Sequence, residues 1–271
     1  MSSETAQPGP PTCTWETVVQ PAATLEKLKR AAEAWKNWQT LDKNSPLAWG
    51  VLLHGAAGTG KTYCARTLVN ESGCALLSIG RENLVGYIGQ AENKVRSVFE
   101  RAHSHAPCIL LFDAIDYITP SRSSRDADMF THEIIVQILT QWEAQRARGG
   151  VFVLGTAFEA DKVDPSIVAR VESIAIPCPG IEERRRLFGI LLAAPGVATD
   201  FDVDTIAQEL ADKTKQISHR GADYLVRKAM ERAGTRAQQS GEERPVLTRN
   251  DLMAEIESGT IFNCFDKKAL S

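Results

Sequence analysis

The run GAAGTGKT at positions 55–62 constrains this chain more than any other feature. It follows the apolar residues Val51, Leu52 and Leu53 and leads into a segment, from Lys61 onward, with helical patterning. A strand that enters a glycine-rich turn and then a helix is a backbone suited to holding an anion. Glycines let the chain wrap closely and aim successive N–H groups inward, and the helix adds the positive end of its dipole. The pattern G-x-x-x-x-G-K-[ST] gives each position a task. Gly55, Ala56, Ala57, Gly58, Thr59 and Gly60 form the cradle, Lys61 pairs with the outer phosphates of a nucleoside triphosphate, and Thr62 ligates Mg2+.

The rest of the chain predicts how that loop is carried. Short apolar runs at 50–54, 75–78, 108–112 and 151–155 alternate with longer amphipathic stretches from 61, near 91–102 and near 128–144. Such runs suit parallel strands covered on both faces, so the spacing predicts a three-layer α/β domain. Upstream, Leu25, Leu28, Ala32, Trp35 and Trp38 recur at helical spacing over 25–41, with the tryptophans as packing anchors. Beyond Pro179 the pattern is helical, at 181–192, 204–213, 221–239 and 249–258. The expected organisation is a flexible lead-in at 1–13, an α/β nucleotide-binding domain at 14–179, a helical domain at 180–260 and a tail at 261–271.

Composition excludes several classes. Thirty-one Lys and Arg against 34 Asp and Glu leave a net charge of −3, without the basic excess that phosphate-backbone binding requires, so no nucleic-acid partner is expected. No apolar run approaches the ~20 residues of a membrane span, and no transmembrane segment is expected. The first residues carry neither a basic nor an apolar signal segment, which predicts an intracellular, cytoplasmic address. Six cysteines are scattered without a C-x-x-C pair and read as free thiols. His103 and His105 lack ligand-spaced neighbours and read as a solvated helix end.

A second apolar run, Ile109, Leu110, Leu111 and Phe112, ends in Asp113, the acidic residue that holds the magnesium together with Thr62. Further local patterns join it: WETV at 15–18, LLHGAAGTGKT at 52–62, YIGQAE at 87–92, APCILLFDAID at 106–116, VDP at 163–165 and GAD at 221–223. The ordered set, over roughly 14–258, resembles the AAA family of ATPases. The resemblance implies an α/β nucleotide domain with a parallel sheet and a C-terminal helical lid, and ATP and Mg2+ as cofactors. It also implies assembly into a ring, usually a hexamer, that remodels or unfolds polypeptide substrates. In the same terms Gly221 and Ala222 approach the adenine. Tyr87 and Ile88 take the place of the loop that grips polypeptide in the ring's channel, a core tyrosine at a helix start being the alternative.

The chain departs from that family at three points. The residue after the magnesium aspartate, elsewhere a glutamate that activates water, is Ala114, so a general-base contribution of roughly 10²- to 10⁴-fold is absent unless another group substitutes. Asp116 is the nearest carboxylate in sequence. At the end of the next strand the family's asparagine is Ala157, and the segment after Asp164 and Pro165 is shortened, leaving Arg170 as the candidate arginine finger. Arg184, Arg185 and Arg186 read as solvated surface or a subunit contact. An isolated Ala114 would suit an engineered trap of the ATP state, whereas three coordinated departures suit natural divergence. The leading expectation is an ATP-binding ring subunit with weak or partner-dependent hydrolysis. A fully active remodelling ATPase relying on Asp116, and a nucleotide-locked structural or regulatory subunit, remain as alternatives. The ring could be built of one kind of chain or pair this one with an active partner.

Overall fold

A computed structural model of the chain describes residues 13–80, 84, 91–121, 129–146, 148–194, 196–241, 244–259 and 263–264. The four apolar runs become parallel strands: β1 (Gly50–His54), β2 (Ala75–Ile79), β3 (Cys108–Phe112) and β4 (Val151–Ala157). A fifth strand, β5 (Glu172–Ala175), completes a sheet of order β2-β3-β4-β1-β5. This edge strand escapes the sequence reading because Ile174 is its only buried residue. It has no run of apolar side chains and, among the described residues, pairs only with β1.

Side chains alternate across the sheet and feed two separate cores. Val51, Leu53, Ile109, Leu111, Phe152 and Leu154 pack under α1 (Ala22–Lys36) and α2 (Lys61–Ser72). Leu52, Leu110, Phe112 and Val153 face the other way, toward α3 (Ala91–Ser104) and α4 (Met129–Arg146). The predicted three layers are therefore present. Trp35 anchors the first core as expected: it is fully buried, stacks on Phe152 with centroids 5.3 Å apart, and donates its indole N–H to Leu47 O at 2.8 Å. The helix predicted over 25–41 closes at Lys36, and a 3-10 turn at Trp38–Thr40 follows.

All five strands run in one direction, so their carboxyl ends share one edge. The register sets His54 opposite Ala157 and Phe112 opposite Gly155. The residues that follow β1 and β3 therefore emerge beside the end of β4, where α/β sheets bind ligands. A short helix, α5 (Pro165–Val168), is capped by Asp164, whose carboxylate accepts the Ser166 N–H at 2.8 Å.

A second unit comprises Val19–Pro21, Ala56–Gly60 and Pro177–Ser271. Its helices are α6 (Ile181–Leu192), α7 (Val203–Lys213), α8 (His219–Ser240) and α9 (Arg249–Glu257). They close on Phe188, Leu210, Leu225 and Leu252. Caps fix their starts: Asp202 accepts from Thr205 N, Ser218 from Gly221 N, and Thr248 with Asp251 forms a capping box.

Two expectations are corrected in this unit. Cys178 and Cys264, read as free thiols, form a disulfide with an S–S distance of 2.01 Å. They lie 86 residues apart, and only the folded chain brings their Cα atoms to 6.2 Å. The other four cysteines are free and buried, and burial pushes the Cys64 thiol up to about 12. Arg184 is not solvated surface but buried, donating to Ala211 O at 3.1 Å and Pro179 O at 3.0 Å. Its exposed neighbour Arg185 faces Glu182 at 3.4 Å.

Candidate nucleotide site

The loop after β1 is shaped by two glycines. Gly58 and Gly60 have φ of +76° and +92°, the left-handed region that side chains avoid. A Cβ on Gly58 would also stand 2.8 Å from Ser218 Oγ. Thr59 is fully buried and donates its hydroxyl to Ala56 O at 3.0 Å, closing the turn. Arg220 N–H bonds to Gly58 O at 3.2 Å.

Lys61 opens α2, where the first-turn N–H groups have no carbonyl partner within the helix and can receive an anion. Its Nζ donates to Gly55 O at 2.7 Å, which folds the ammonium back over the loop. His54, at the end of β1, is held below the usual histidine range, first by partial burial and then by the Lys61 charge.

Asp113 leaves the end of β3 with an exposed carboxylate. Its Oδ1 accepts the Thr156 hydroxyl at 2.5 Å and the Thr62 hydroxyl at 3.5 Å. Thr156 Oγ1 in turn accepts the Ala114 N–H at 2.9 Å, so one buried hydroxyl fixes both residues after β3. Ala114 adopts φ 54° and ψ 55°, a left-handed conformation for a residue that has a Cβ. Ala157 is buried in the core facing α3 and α4 and offers only a methyl group. A carboxylate, a hydroxyl and an ammonium at a helix N-terminus are the hard oxygen donors and the cation that a magnesium–polyphosphate group requires, and these residues fit it.

Asp116 follows on the 3-10 turn Ile115–Tyr117. Its Oδ2 accepts the Phe158 N–H at 3.2 Å, and its Oδ1 is buried without a hydrogen-bond partner among the described residues. Arg170 bonds to Ser166 O at 2.8 Å and lies over the Trp49 ring at 5.6 Å. Tyr87 and Ile88 lie outside the described residues.

Within the second unit Gly221 is held by the Ser218 hydroxyl, and Ala222 is fully buried among the helices. Sequence reasoning missed two neighbours of the loop there. Gln20 Nε2 donates to Thr59 O at 3.0 Å while its Oε1 stays buried and unpartnered among the described residues. His219 Nε2 bonds to Val19 O at 2.8 Å, which fixes the proton on Nε2 and leaves the buried Nδ1 an acceptor without a partner among the described residues. A Cβ on Gly60 would stand 3.8 Å from Gln20 Nε2 and 3.9 Å from the His219 ring. Gln20 and His219 are 199 positions apart, and no local pattern marks either. Thr156 was legible only as part of the strand-end pattern that drew attention to Ala157.

A parallel sheet whose first strand runs into a glycine loop with lysine and threonine, with a strand ending in aspartate two places along the sheet, defines a P-loop nucleotide-binding domain. Residues 51–177 match the ATPase family associated with various cellular activities. This chain carries a AAA P-loop ATPase domain. It is 33% identical over 214 residues to the ribosome biogenesis ATPase RIX7 of Saccharomyces cerevisiae, covering 77% of this chain and 25% of that protein. Identity to the cell division cycle protein 48 homolog of Archaeoglobus fulgidus is 33% over 184 residues, 66% of this chain and 25% of that one. To the peroxisomal ATPase PEX1 of Cricetulus griseus it is 37% over 178 residues, 64% of this chain and 13% of that one. The chain thus spans a quarter or less of the length of these relatives.

Proposed function

We propose that this chain is an ATP-binding subunit of a ring that remodels polypeptides, one that holds Mg-ATP well and hydrolyses it weakly or only with a partner's help. The observation that carries the reading is the contrast around Asp113. Lys61 folds over its own loop and Thr62 meets Asp113, an arrangement suited to holding Mg-ATP, while the next residue is Ala114, whose methyl can neither accept a proton nor orient water. A magnesium ion held there would supply charge neutralisation for the outer phosphates. Lys61 and the first turn of α2 would hold those phosphates, and Thr62 and Asp113 the metal. Gly221 and Ala222 would act through backbone only.

The fully active alternative requires Asp116 to activate water. Its Oδ2 is committed to Phe158 and its Oδ1 is closed off from solvent, which speaks against that role. Arg170, turned onto Trp49 and Ser166, would have to leave both to reach a neighbouring subunit. Hexameric assembly, a polypeptide gripped near Tyr87 and Ile88, and a cytoplasmic setting belong to the same proposal and rest on family resemblance.

The test combines nucleotide content, steady-state ATPase rate and oligomer size, each with and without Mg-ATP, on the chain itself, on Ala114→Glu and on Lys61→Ala. Nucleotide retention with turnover far below about 1 s⁻¹, a small gain in Ala114→Glu and loss of nucleotide in Lys61→Ala are expected. Turnover of about 1 s⁻¹ or more in the unaltered chain refutes weak hydrolysis. An oligomer indifferent to both ATP and Lys61 refutes nucleotide-dependent assembly.

A further inference from the structure

At the opposite edge of the sheet from the phosphate loop, where β1 and β4 begin, a cavity of about 200 Å³ penetrates the α/β unit. Its walls are aromatic: Trp38, Trp49, Trp142 and Phe152. Trp49 and Trp142 meet edge to face with centroids 5.5 Å apart. Space for the cavity depends on two consecutive left-handed glycines. Gly149 and Gly150 have φ of +72° and +77°, and a Cβ on them would stand 3.3 Å and 3.4 Å from the Trp38 ring.

Among the described residues the charged residues of the lining are all basic: Lys43, Arg146 and Arg148. Arg146 is fixed in place, its guanidinium 5.0 Å from the Trp49 centroid and bonded to Asn44 Oδ1 at 2.8 Å and Lys43 O at 3.3 Å. Glu143 reaches Arg146 at 3.5 Å from outside the lining. Two residues of the wall also carry unspent hydrogen-bonding capacity. Trp142 is 2% exposed and Gln145 7% exposed, yet Trp142 Nε1 and Gln145 Oε1 have no partner among the described residues. Two such atoms on residues of one wall, beneath a basic rim, leave hydrogen-bonding capacity beside the cavity that a ligand can take up.

We propose that this cavity binds a small planar aromatic anion, one fused ring bearing a carboxylate, independently of the nucleotide site. The ring fills the space among the tryptophans, the carboxylate meets the basic rim, and the Gln145 carbonyl, once turned toward that space, takes a ring N–H. The volume admits a ring and a carboxylate but not a ring with sugar and phosphates. The basic lining disfavours a cation and gives a neutral ring less to hold it.

Calorimetric titration of the full chain with indole-3-carboxylate tests this, with neutral indole as comparator. One-to-one binding of the carboxylate is expected, unchanged by saturating Mg-ATP. Arg148→Glu, a change at an exposed position, should weaken the carboxylate at least about fivefold while leaving neutral indole within about twofold. Trp38→Ala, with its fold checked by circular dichroism, should weaken both, and if it unfolds, the Arg148 comparison decides alone. The proposal is overturned if the carboxylate gives no saturable heat at several millimolar, if Mg-ATP displaces it, or if Arg148→Glu leaves its affinity unaltered.

Discussion

Replacing Thr156 by valine removes one oxygen and almost no volume, yet that oxygen orders both residues after β3. Its hydroxyl donates to Asp113 Oδ1 at 2.5 Å and accepts the Ala114 N–H at 2.9 Å, from a side chain 2% exposed. A hydrogen bond to a charged group contributes about 1.5–3 kcal/mol, and an N–H left without a partner costs about 1–3. Asp113 is exposed and can turn to water, so most of its share is recovered. The net loss is then about 2 kcal/mol, dominated by the Ala114 amide. Urea unfolding followed by tryptophan fluorescence should show this as a lower midpoint at unchanged slope. Mg-ATP affinity should fall about tenfold, because Asp113 is no longer held at its working angle. Thr156→Ser keeps the oxygen and loses a methyl, at about 1 kcal/mol, with nucleotide affinity preserved. The reasoning is refuted if valine lies within about 0.5 kcal/mol of the unaltered chain, or if serine loses nucleotide as valine does.

Three further outcomes follow from the same contacts. Arg184→Met strands the carbonyls of Ala211 and Pro179 and should cost about 2–3 kcal/mol, while Arg185→Ala should stay within about 0.5 kcal/mol, as paired thermal midpoints would show. Reducing the Cys178–Cys264 bond reopens a loop of 86 residues and should destabilise the second unit by about 4 kcal/mol, measured by proteolysis with and without dithiothreitol; equal protection in both states would contradict the pairing. His219 is held below its ordinary value, chiefly by burial, so the unfolded chain binds the proton first as pH falls. Its stabilising contribution is therefore full above about pH 6.5 and is lost progressively from there toward its lowered native value. His219→Gln should flatten that part of the stability profile, and an unchanged slope would show that another group titrates.

Much of this protein is legible locally because its information is local. The spacing of Gly58, Gly60, Lys61 and Thr62 specifies a turn and a helix start within eight positions, and four-residue apolar runs suffice to announce strands buried on both faces. Glu172 to Ala175 escaped because an edge strand draws its stability from backbone pairing with one neighbour, which leaves little mark on residue type. Arg184 misled for a related reason. A charged side chain on an amphipathic helix reads as surface unless one knows that two carbonyls from elsewhere wait for it.

The sequence by itself determined the phosphate loop, the three-layer sheet, and the substitution of Ala114 and Ala157 where chemistry would be performed, since each is written in residue identity at fixed spacing. Tertiary structure alone decided what those residues lean on. It brought Thr156 onto Asp113, Gln20 and His219 onto the phosphate loop, Cys178 onto Cys264, and the tryptophans around a basic-rimmed cavity. Hydrogen bonds and packing act over a few ångströms in space regardless of separation along the chain, so contacts spanning tens to hundreds of residues leave no periodic trace to read.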